Sequence, residues 1–324
     1  MRILITGLSG FAGKHLIEYL ALQGDHTFFG VDLKKCSTGT DIGGSQLVEN
    51  MTDLTDAAAV KKLIKQVKPD HIYHLAAQSS VKLSWEDPLG TFRTNVFSGI
   101  NLLESMRAAA SGIKILMVCT AEEYGEVTNG SAITESDSIY PENPYAVSKA
   151  AMDFISTMYH KAYGLDIMVT RSFNHIGPGQ SEGFVCSDFA RQVALIEAGK
   201  QDPVISVGNL DSSRDFLDVR DVARAYWHIM NRGRPGEVYN VCSGKPVKVS
   251  TLLEILISLS EQEDIEIILD KEKFRPIDIP TIVGDNTRLM TTTGWQPQYS
   301  LEDSLSDILD WWREKVNPGK GDKN

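Results

Sequence analysis

At 324 residues, 42% hydrophobic and 23% charged, the chain is long enough for one large or two modest domains with a sizeable core. A net charge of -11 with no basic stripe disfavours a nucleic-acid partner, and no run approaches the ~18 apolar residues of a membrane span. Cys36, Cys119, Cys186 and Cys242 are scattered, without C-x-x-C or paired histidines. That pattern argues against a metal site or a disulfide framework and for reduced thiols in a cytoplasmic protein.

The first element is the apolar, β-branched run Arg2-Ile3-Leu4-Ile5-Thr6, expected as the opening strand of a buried parallel sheet. No long apolar segment follows the lone Arg2, so no signal peptide is expected. Gly7, Gly10 and Gly13 come next at three-residue spacing, and residues 14–20 open a helical pattern. Glycines allow a tight turn and let backbone N–H groups approach a pyrophosphate at the helix N-terminus. Strand, glycines and helix in that order predict a dinucleotide site.

Residues 27–31 predict a second strand ending in Asp32. A carboxylate about 20 residues past the glycines binds both ribose hydroxyls of NAD and repels a 2′-phosphate. Lys34 and Lys35 follow at once and offer charge to that phosphate. NAD(H) is therefore the expected cofactor, with NADP(H) as the alternative. Residues 45–49 predict the third strand. Asp53 and Leu54 follow it, where an adenine can rest, and Asp53 serves equally as the N-cap of the helix beginning there.

Strands are expected at 71–75, 113–118 and 166–170, with helices at 95–110 and 145–163 between them. This alternation predicts an α/β fold with a Rossmann-type, doubly wound parallel sheet. On the second helix, Tyr145 and Lys149 stand four residues apart and so on one face. A phenol with pKa near ~10 is a poor acid at neutral pH, and a neighbouring ammonium lowers it toward use. Tyr-x-x-x-Lys is common on helix surfaces, so the nucleotide site upstream is what gives the pair meaning.

Beyond Arg171 the pattern loosens. Helices are expected at 184–198, 221–230, 251–260 and 301–316, and strands at 204–207 and 238–241, the latter returning to the sheet. The expected organisation is a cofactor domain of residues 1–173 plus about 215–242. A smaller, discontinuous C-terminal substrate-binding domain takes about 174–214 plus 243–324, with the substrate cleft between the two.

Thr6-Gly7-Leu8-Ser9-Gly10-Phe11-Ala12-Gly13, His74-Leu75-Ala76-Ala77, Thr120 and Pro144-Tyr145-Ala146-Val147-Ser148-Lys149 together resemble the extended short-chain dehydrogenases/reductases. The resemblance spans the whole N-terminal domain. It implies that Gly7, Gly10, Phe11, Ala12, Gly13, Asp32, Asp53, Leu54, Leu75, Ala76 and Ala77 line the cofactor. It also implies that Tyr145 gives and takes the proton, Lys149 holds the nicotinamide ribose and lowers the pKa of Tyr145, and Thr120 binds the reacting sugar oxygen. Asn95 matches a position supporting the active site and serves equally as a helix cap. Dimerisation through helices 95–110 and 145–163 is implied as well, although core packing explains their alanines equally.

The C-terminal half resembles the nucleotide-sugar branch of that family. Asn174, in Phe173-Asn174-His175-Ile176-Gly177-Pro178-Gly179-Gln180, matches a diphosphate contact. Arg214, in Ser213-Arg214-Asp215-Phe216-Leu217-Asp218-Val219, matches a phosphate contact, and Arg275 with Asp278 match a clamp on nucleotide phosphate and ribose. Arginine forks suit a diphosphate, though singly each reads as an ion-pair residue. The combination is most similar to reductases of the C4 ketone of GDP-4-keto-6-deoxy-D-mannose, which form GDP-D-rhamnose. Glu122, two residues after Thr120, instead matches the base of GDP-mannose 4,6-dehydratases, and serves equally as a substrate hydroxyl ligand or an inherited residue. Those dehydratases commonly carry Asn-His-Glu where this chain has Asn174-His175-Ile176. Reduction is the expectation; dehydration, 4-epimerisation and a non-catalytic regulator follow in that order.

Overall fold

The computed structural model describes residues 1–34, 42, 44–109, 112–126, 131–262, 264–273 and 280–317. The chain opens with β1 (Arg2–Thr6), α1 (Phe11–Ala21), β2 (Thr27–Asp32), β3 (Gln46–Met51), α2 (Ala57–Val67) and β4 (His71–His74). Next come α3 (Val81–Glu86), α4 (Pro88–Phe92), a π-helical turn Arg93–Phe97, α5 (Ser98–Ala109) and β5 (Lys114–Thr120). A 3-10 turn Ala121–Tyr124 leads towards α6 (Pro144–Tyr163), β6 (Asp166–Ser172), β7 (Asn174–Ile176), α7 (Val185–Glu197) and β8 (Val204–Val207). The rest is β9 (Ser213–Asp218), α8 (Val219–Arg232), β10 (Val238–Val241), β11 (Pro246–Lys248), α9 (Val249–Ser258) and β12 (Glu266–Leu269). After these come β13 (Thr281–Ile282), α10 (Thr287–Thr293) and α11 (Leu301–Val316).

Seven strands form one parallel sheet in the order β10-β6-β5-β4-β1-β2-β3. Its strands are buried on both faces, which is why they read as continuous apolar runs: Ile3, Leu4 and Ile5 are all inaccessible. Leu16, Ile17 and Leu20 of α1 pack on one face with Tyr226 and Ile229 of α8. Leu63, Leu102, Leu103 and Met152, from α2, α5 and α6, pack on the other. Each such side chain contributes about 1.5–3 kcal/mol on burial. The strand order reverses between β1 and β4, the switch point outside whose carboxyl ends ligands bind in open sheets.

A second core joins α7, α9 and α11 through Phe189, Val193, Leu252, Leu253, Leu305 and Ile308. Beside it, β9 pairs with β7, β11 and β13 in a small sheet, and β8 pairs with β12. Residues 215–218 lie in β9, inside this smaller sheet, although the sequence expectation places them with the cofactor domain. In the opposite direction, Leu289 of α10 and Trp295 join the core of the large sheet. Trp295 donates its indole N–H to the Asp221 carbonyl at 3.0 Å, which anchors that excursion to α8.

Two capping expectations are corrected. Asp53 does not cap α2: Asp56 does, accepting from Ala58 and Ala59, while Asp53 accepts from its own turn, Thr55 N and Oγ1, both at 2.8 Å. Asn95 is no cap either, because helix begins earlier, at Pro88, capped by Asp87. Asn95 is buried inside the π turn, accepting from Gln78 N at 2.7 Å and donating to Gln78 O and Ser148 Oγ at 3.0 and 2.9 Å. It thereby ties the loop after β4 to α6.

Candidate active site

The glycine loop leaves β1 through Gly7, at φ +71°, a conformation that L side chains rarely adopt. A Cβ there would stand 2.8 Å from Ala76 N, and one at Gly13 would stand 2.5 Å from Gly7 O and 2.7 Å from Leu8 O. Only hydrogen fits at either position. Gly10 is the N-cap of α1 and offers no side-chain acceptor, so its first backbone N–H groups are left for an anion. Phe11 stacks on His175 with centroids 5.9 Å apart and meets His15 edge-on, and His15 Nε2 lies 2.9 Å from Pro178 O. The loop is thus held against the segment following β6, a contact the sequence does not announce.

Around the loop stand the remaining cofactor candidates. Asp32 accepts from Ser9 N at 3.3 Å, Leu33 N at 2.8 Å and the Ser9 hydroxyl. Leu75 and Ala76 donate their N–H groups to Thr6 O and Thr6 Oγ1, both at 3.2 Å, and Ala77 is half-buried beside them. Leu54 is buried, its carbonyl accepting from Asn101 Nδ2 at 2.9 Å, while Asp53 is exposed. The arrangement of bare helix N–H groups and backbone that only glycine allows fits a dinucleotide pyrophosphate.

Thr120 ends β5 and caps the 3-10 turn that follows: its Oγ1 accepts from Glu122 N at 3.3 Å, and Glu123 Oε1 accepts from Thr120 N at 3.2 Å. Tyr145 enters from the first turn of α6, fixed by Pro144 and by Asn143, whose Oδ1 caps the helix through Ala146 N at 2.8 Å. Burial raises Tyr145 above the usual phenol range, opposed by its hydrogen bond with Thr120 and reinforced by the charge of Glu122. Lys149 is buried, its pKa lowered by burial, and donates to Val118 O at 2.8 Å. Thr120 supplies the main lowering influence on Tyr145. Thr120, Glu122, Tyr145 and Lys149 are brought together at the carboxyl end of β5.

On the second lobe, Asn174 is exposed on β7, in register with Phe216 of β9. Arg214 is half-buried on β9 between β11 and β13. The neighbouring Asp215 is buried and accepts from Ser243 N and Oγ at 2.7 Å, Gly244 N at 2.9 Å and Gly284 N at 3.2 Å. Those bonds tie two loops, one at Ser243–Gly244 and one at Gly284, to β9 beside Arg214. Arg275 and Asp278 lie outside the described residues. Among the described residues no group of three or more His, Cys, Asp or Glu is placed to hold a metal ion, and no helix is long and apolar enough to cross a membrane. Cys119, Cys186 and Cys242 are free and buried.

Several residues the sequence expectation passed over stand at this site. Asn143 donates to Glu122, and Glu123, Asp153 and Arg171 form a buried ionic cluster below Thr120. Local signals existed for Asn143, an N-cap residue directly before a proline, and for Glu123, in the Thr-x-x-Glu spacing of a capping box.

Residues 4–308 match the protein family described as GDP-mannose 4,6 dehydratase. The chain is 36% identical to the GDP-6-deoxy-D-mannose reductase of Pseudomonas aeruginosa, covering 97% of this chain and 98% of that one. It is 27% identical to the GDP-mannose 4,6-dehydratase of Yersinia enterocolitica, covering 95% and 92%. Its fold superposes on the structure of RMD from Pseudomonas aeruginosa complexed with NADPH with a TM-score of 0.85, at 35% identity over 98% of this chain and 100% of that one. For a Thermus thermophilus UDP-glucose 4-epimerase complex with NAD the TM-score is 0.82, at 28% identity over 97% and 99%.

Proposed function

This chain belongs to the GDP-mannose 4,6 dehydratase family of extended short-chain dehydrogenases/reductases, and we propose that within it the chain is an NAD(P)H-dependent reductase of the C4 ketone of GDP-4-keto-6-deoxy-D-mannose, forming GDP-D-rhamnose. One observation carries the reading. The Thr120, Tyr145 and Lys149 constellation stands beside a glycine cradle in a chain similar, over nearly its whole length, to a GDP-6-deoxy-D-mannose reductase.

When bound, the nicotinamide supplies hydride to C4. The chain's own residues do the rest. Thr120 holds the ketone oxygen, and Tyr145, kept protonated by its raised pKa, donates the proton as that oxygen becomes an alkoxide. Lys149 binds the nicotinamide ribose. Asn174 and Arg214 bind the GDP diphosphate, and Arg275 and Asp278 clamp the nucleotide phosphate and ribose. Gly7, Gly10, Phe11, Ala12 and Gly13 hold the pyrophosphate, with Asp32, Asp53, Leu54, Leu75, Ala76 and Ala77 around the adenosine and nicotinamide.

Asp32 supports a preference for NAD(H), since its carboxylate would repel a 2′-phosphate, while Lys34 leaves NADP(H) usable. Among the described residues Cys119, Cys186 and Cys242 are free thiols, which supports a cytoplasmic home. Exposed Phe154 and Met158, one turn apart on α6 and 60% and 54% accessible, support a homodimer closed through that helix. The test is incubation of the protein with GDP-4-keto-6-deoxymannose and NADH or NADPH. Stoichiometric loss of reduced cofactor is expected, and its absence would overturn the assignment. The dehydratase reading rests on Glu122 and predicts conversion of GDP-mannose alone, without net cofactor use.

A further inference from the structure

We infer that Glu123 is a positioning residue for this reaction: its buried carboxyl fixes the backbone of Thr120 and, through Arg171 and Asp153, ties that turn to the helix bearing Tyr145 and Lys149. The inference rests on the reductase reading.

Glu123 is completely buried. One of its oxygens accepts from Thr120 N at 3.2 Å, while the other makes no hydrogen bond and stands 3.6 Å from Arg171 Nε. Arg171 lies on β6 in register with Cys119, the residue preceding Thr120. Its Nε and Nη2 donate to Asp153 Oδ2 at 2.8 and 2.7 Å, and its Nη1 donates to Tyr124 Oη at 3.0 Å. Asp153 is four residues beyond Lys149, as Lys149 is four beyond Tyr145, so all three share one stripe of α6. The same stripe that presents the acid therefore ends in the carboxylate gripping Arg171.

A capping side chain with an acceptor to spare is costly to bury, and satisfying Thr120 N alone would need only an amide or hydroxyl. What the carboxyl adds is a group that becomes charged as pH rises. The ionisable groups facing Glu123 are Cys119, Lys149, Asp153, Arg171 and Tyr145. Its carboxyl is raised to about 8, by burial first and then by Asp153, with Arg171 and Lys149 opposing. Once ionised, it raises both Lys149 and Tyr145.

The experiment compares Glu123→Ala and Glu123→Gln with wild type on the ketone with saturating reduced cofactor. It follows kcat and KM against pH, with thermal unfolding and cofactor binding as controls. Ala removes the acceptor for Thr120 N, so kcat should fall about 10-fold or more with KM little changed. Gln restores the acceptor without the charge. It should return most of kcat near neutral pH while moving the alkaline limb, set by Tyr145, to lower pH. A folded Ala variant with wild-type kcat overturns the inference, as does a Gln variant no better than Ala. Should Ala fail to fold, an unmoved alkaline limb in the Gln variant overturns it. A wild type that leaves the ketone untouched strikes the reaction assignment alone, and the variants are then compared on conversion of GDP-mannose.

Discussion

Asn143 bonds Glu122 with one end of its amide and caps α6 with the other: Nδ2 to Glu122 Oε2 is 3.2 Å, and Oδ1 accepts from Ala146 N at 2.8 Å. The carboxylate that a dehydratase would use as a base is therefore fastened to the helix that presents Tyr145. In a ketone reduction no carbon acid is deprotonated, so Glu122 is not required for the chemistry. Glu122→Gln should keep NAD(P)H-dependent ketone reduction within about 3-fold, because Gln preserves an acceptor for Asn143. The check is parallel assay on the ketone and on GDP-mannose. Loss of reductase activity by orders of magnitude would make Glu122 a participant.

Tyr145→Phe removes the only proton donor assigned to the alkoxide. Its kcat should fall by about 10²–10⁴, the usual contribution of a positioned acid. Because burial raises Tyr145 above the ordinary phenol range, it is protonated throughout neutral pH, and the reductive rate should show no Tyr145-linked decline below about pH 10. A pH–rate profile of the wild type checks the second statement, and single-turnover kinetics of the variant check the first.

Gly13→Ala places a methyl group 2.5–2.8 Å from the backbone of Gly7 and Leu8, neither of which is a flexible chain end. Thermal stability should fall by about 1–3 kcal/mol and dinucleotide affinity should drop. Gly183→Ala is the control, since nothing lies within 4 Å of the added carbon. Fluorescence titration with NADH separates the two variants. Equal affinity in both would remove the cradle from Gly13.

Acid should destabilise the fold through two buried histidines. Burial lowers His71 to about 4 and His74 to about 3. Between those values and the ordinary ~6.5 the unfolded chain binds protons that the native state refuses, so stability is complete above ~6.5 and falls as pH drops. The slope is at most about 1.4 kcal/mol per pH unit for each histidine. Buried Glu123 and Asp215, whose pKa values are raised, act with the opposite sign in part of that range. The difference between wild type and His71→Gln therefore isolates the effect. Urea midpoints of the two should converge as pH falls from 6.5 towards 4.5, and parallel lines would contradict it.

Phe154→Asp puts a charge at the centre of the exposed apolar stripe of α6. Sedimentation should show wild type as a dimer and the variant shifted to monomer, with the far-ultraviolet spectrum unchanged because the side chain is outside the core. A monomeric wild type would end the proposal.

Local pattern was enough for the elements whose signal is short-ranged. The continuous apolar strands, the glycine spacing and the Tyr145–Lys149 interval follow from backbone sterics and helical period, which act within a few residues. Hence β1, β2 and β6 begin where the sequence places them, and Tyr145 and Lys149 lie one turn apart on α6. The N-cap of α2 was beyond that resolution, since Asp53 and Asp56 are both short acidic side chains and only backbone conformation selects Asp56. Arg171, Glu123 and Asp153 carry no joint signal, lying on three elements that meet only when β5 pairs with β6 and α6 packs across them. The same holds for Phe11 against His175, and for Asp215 gathering Ser243, Gly244 and Gly284. The sequence by itself determined the parallel sheet, the glycine turn after β1 and the helical interval between Tyr145 and Lys149. Only tertiary structure decided what surrounds and charges them, because burial and ion pairing depend on which distant segments share a core.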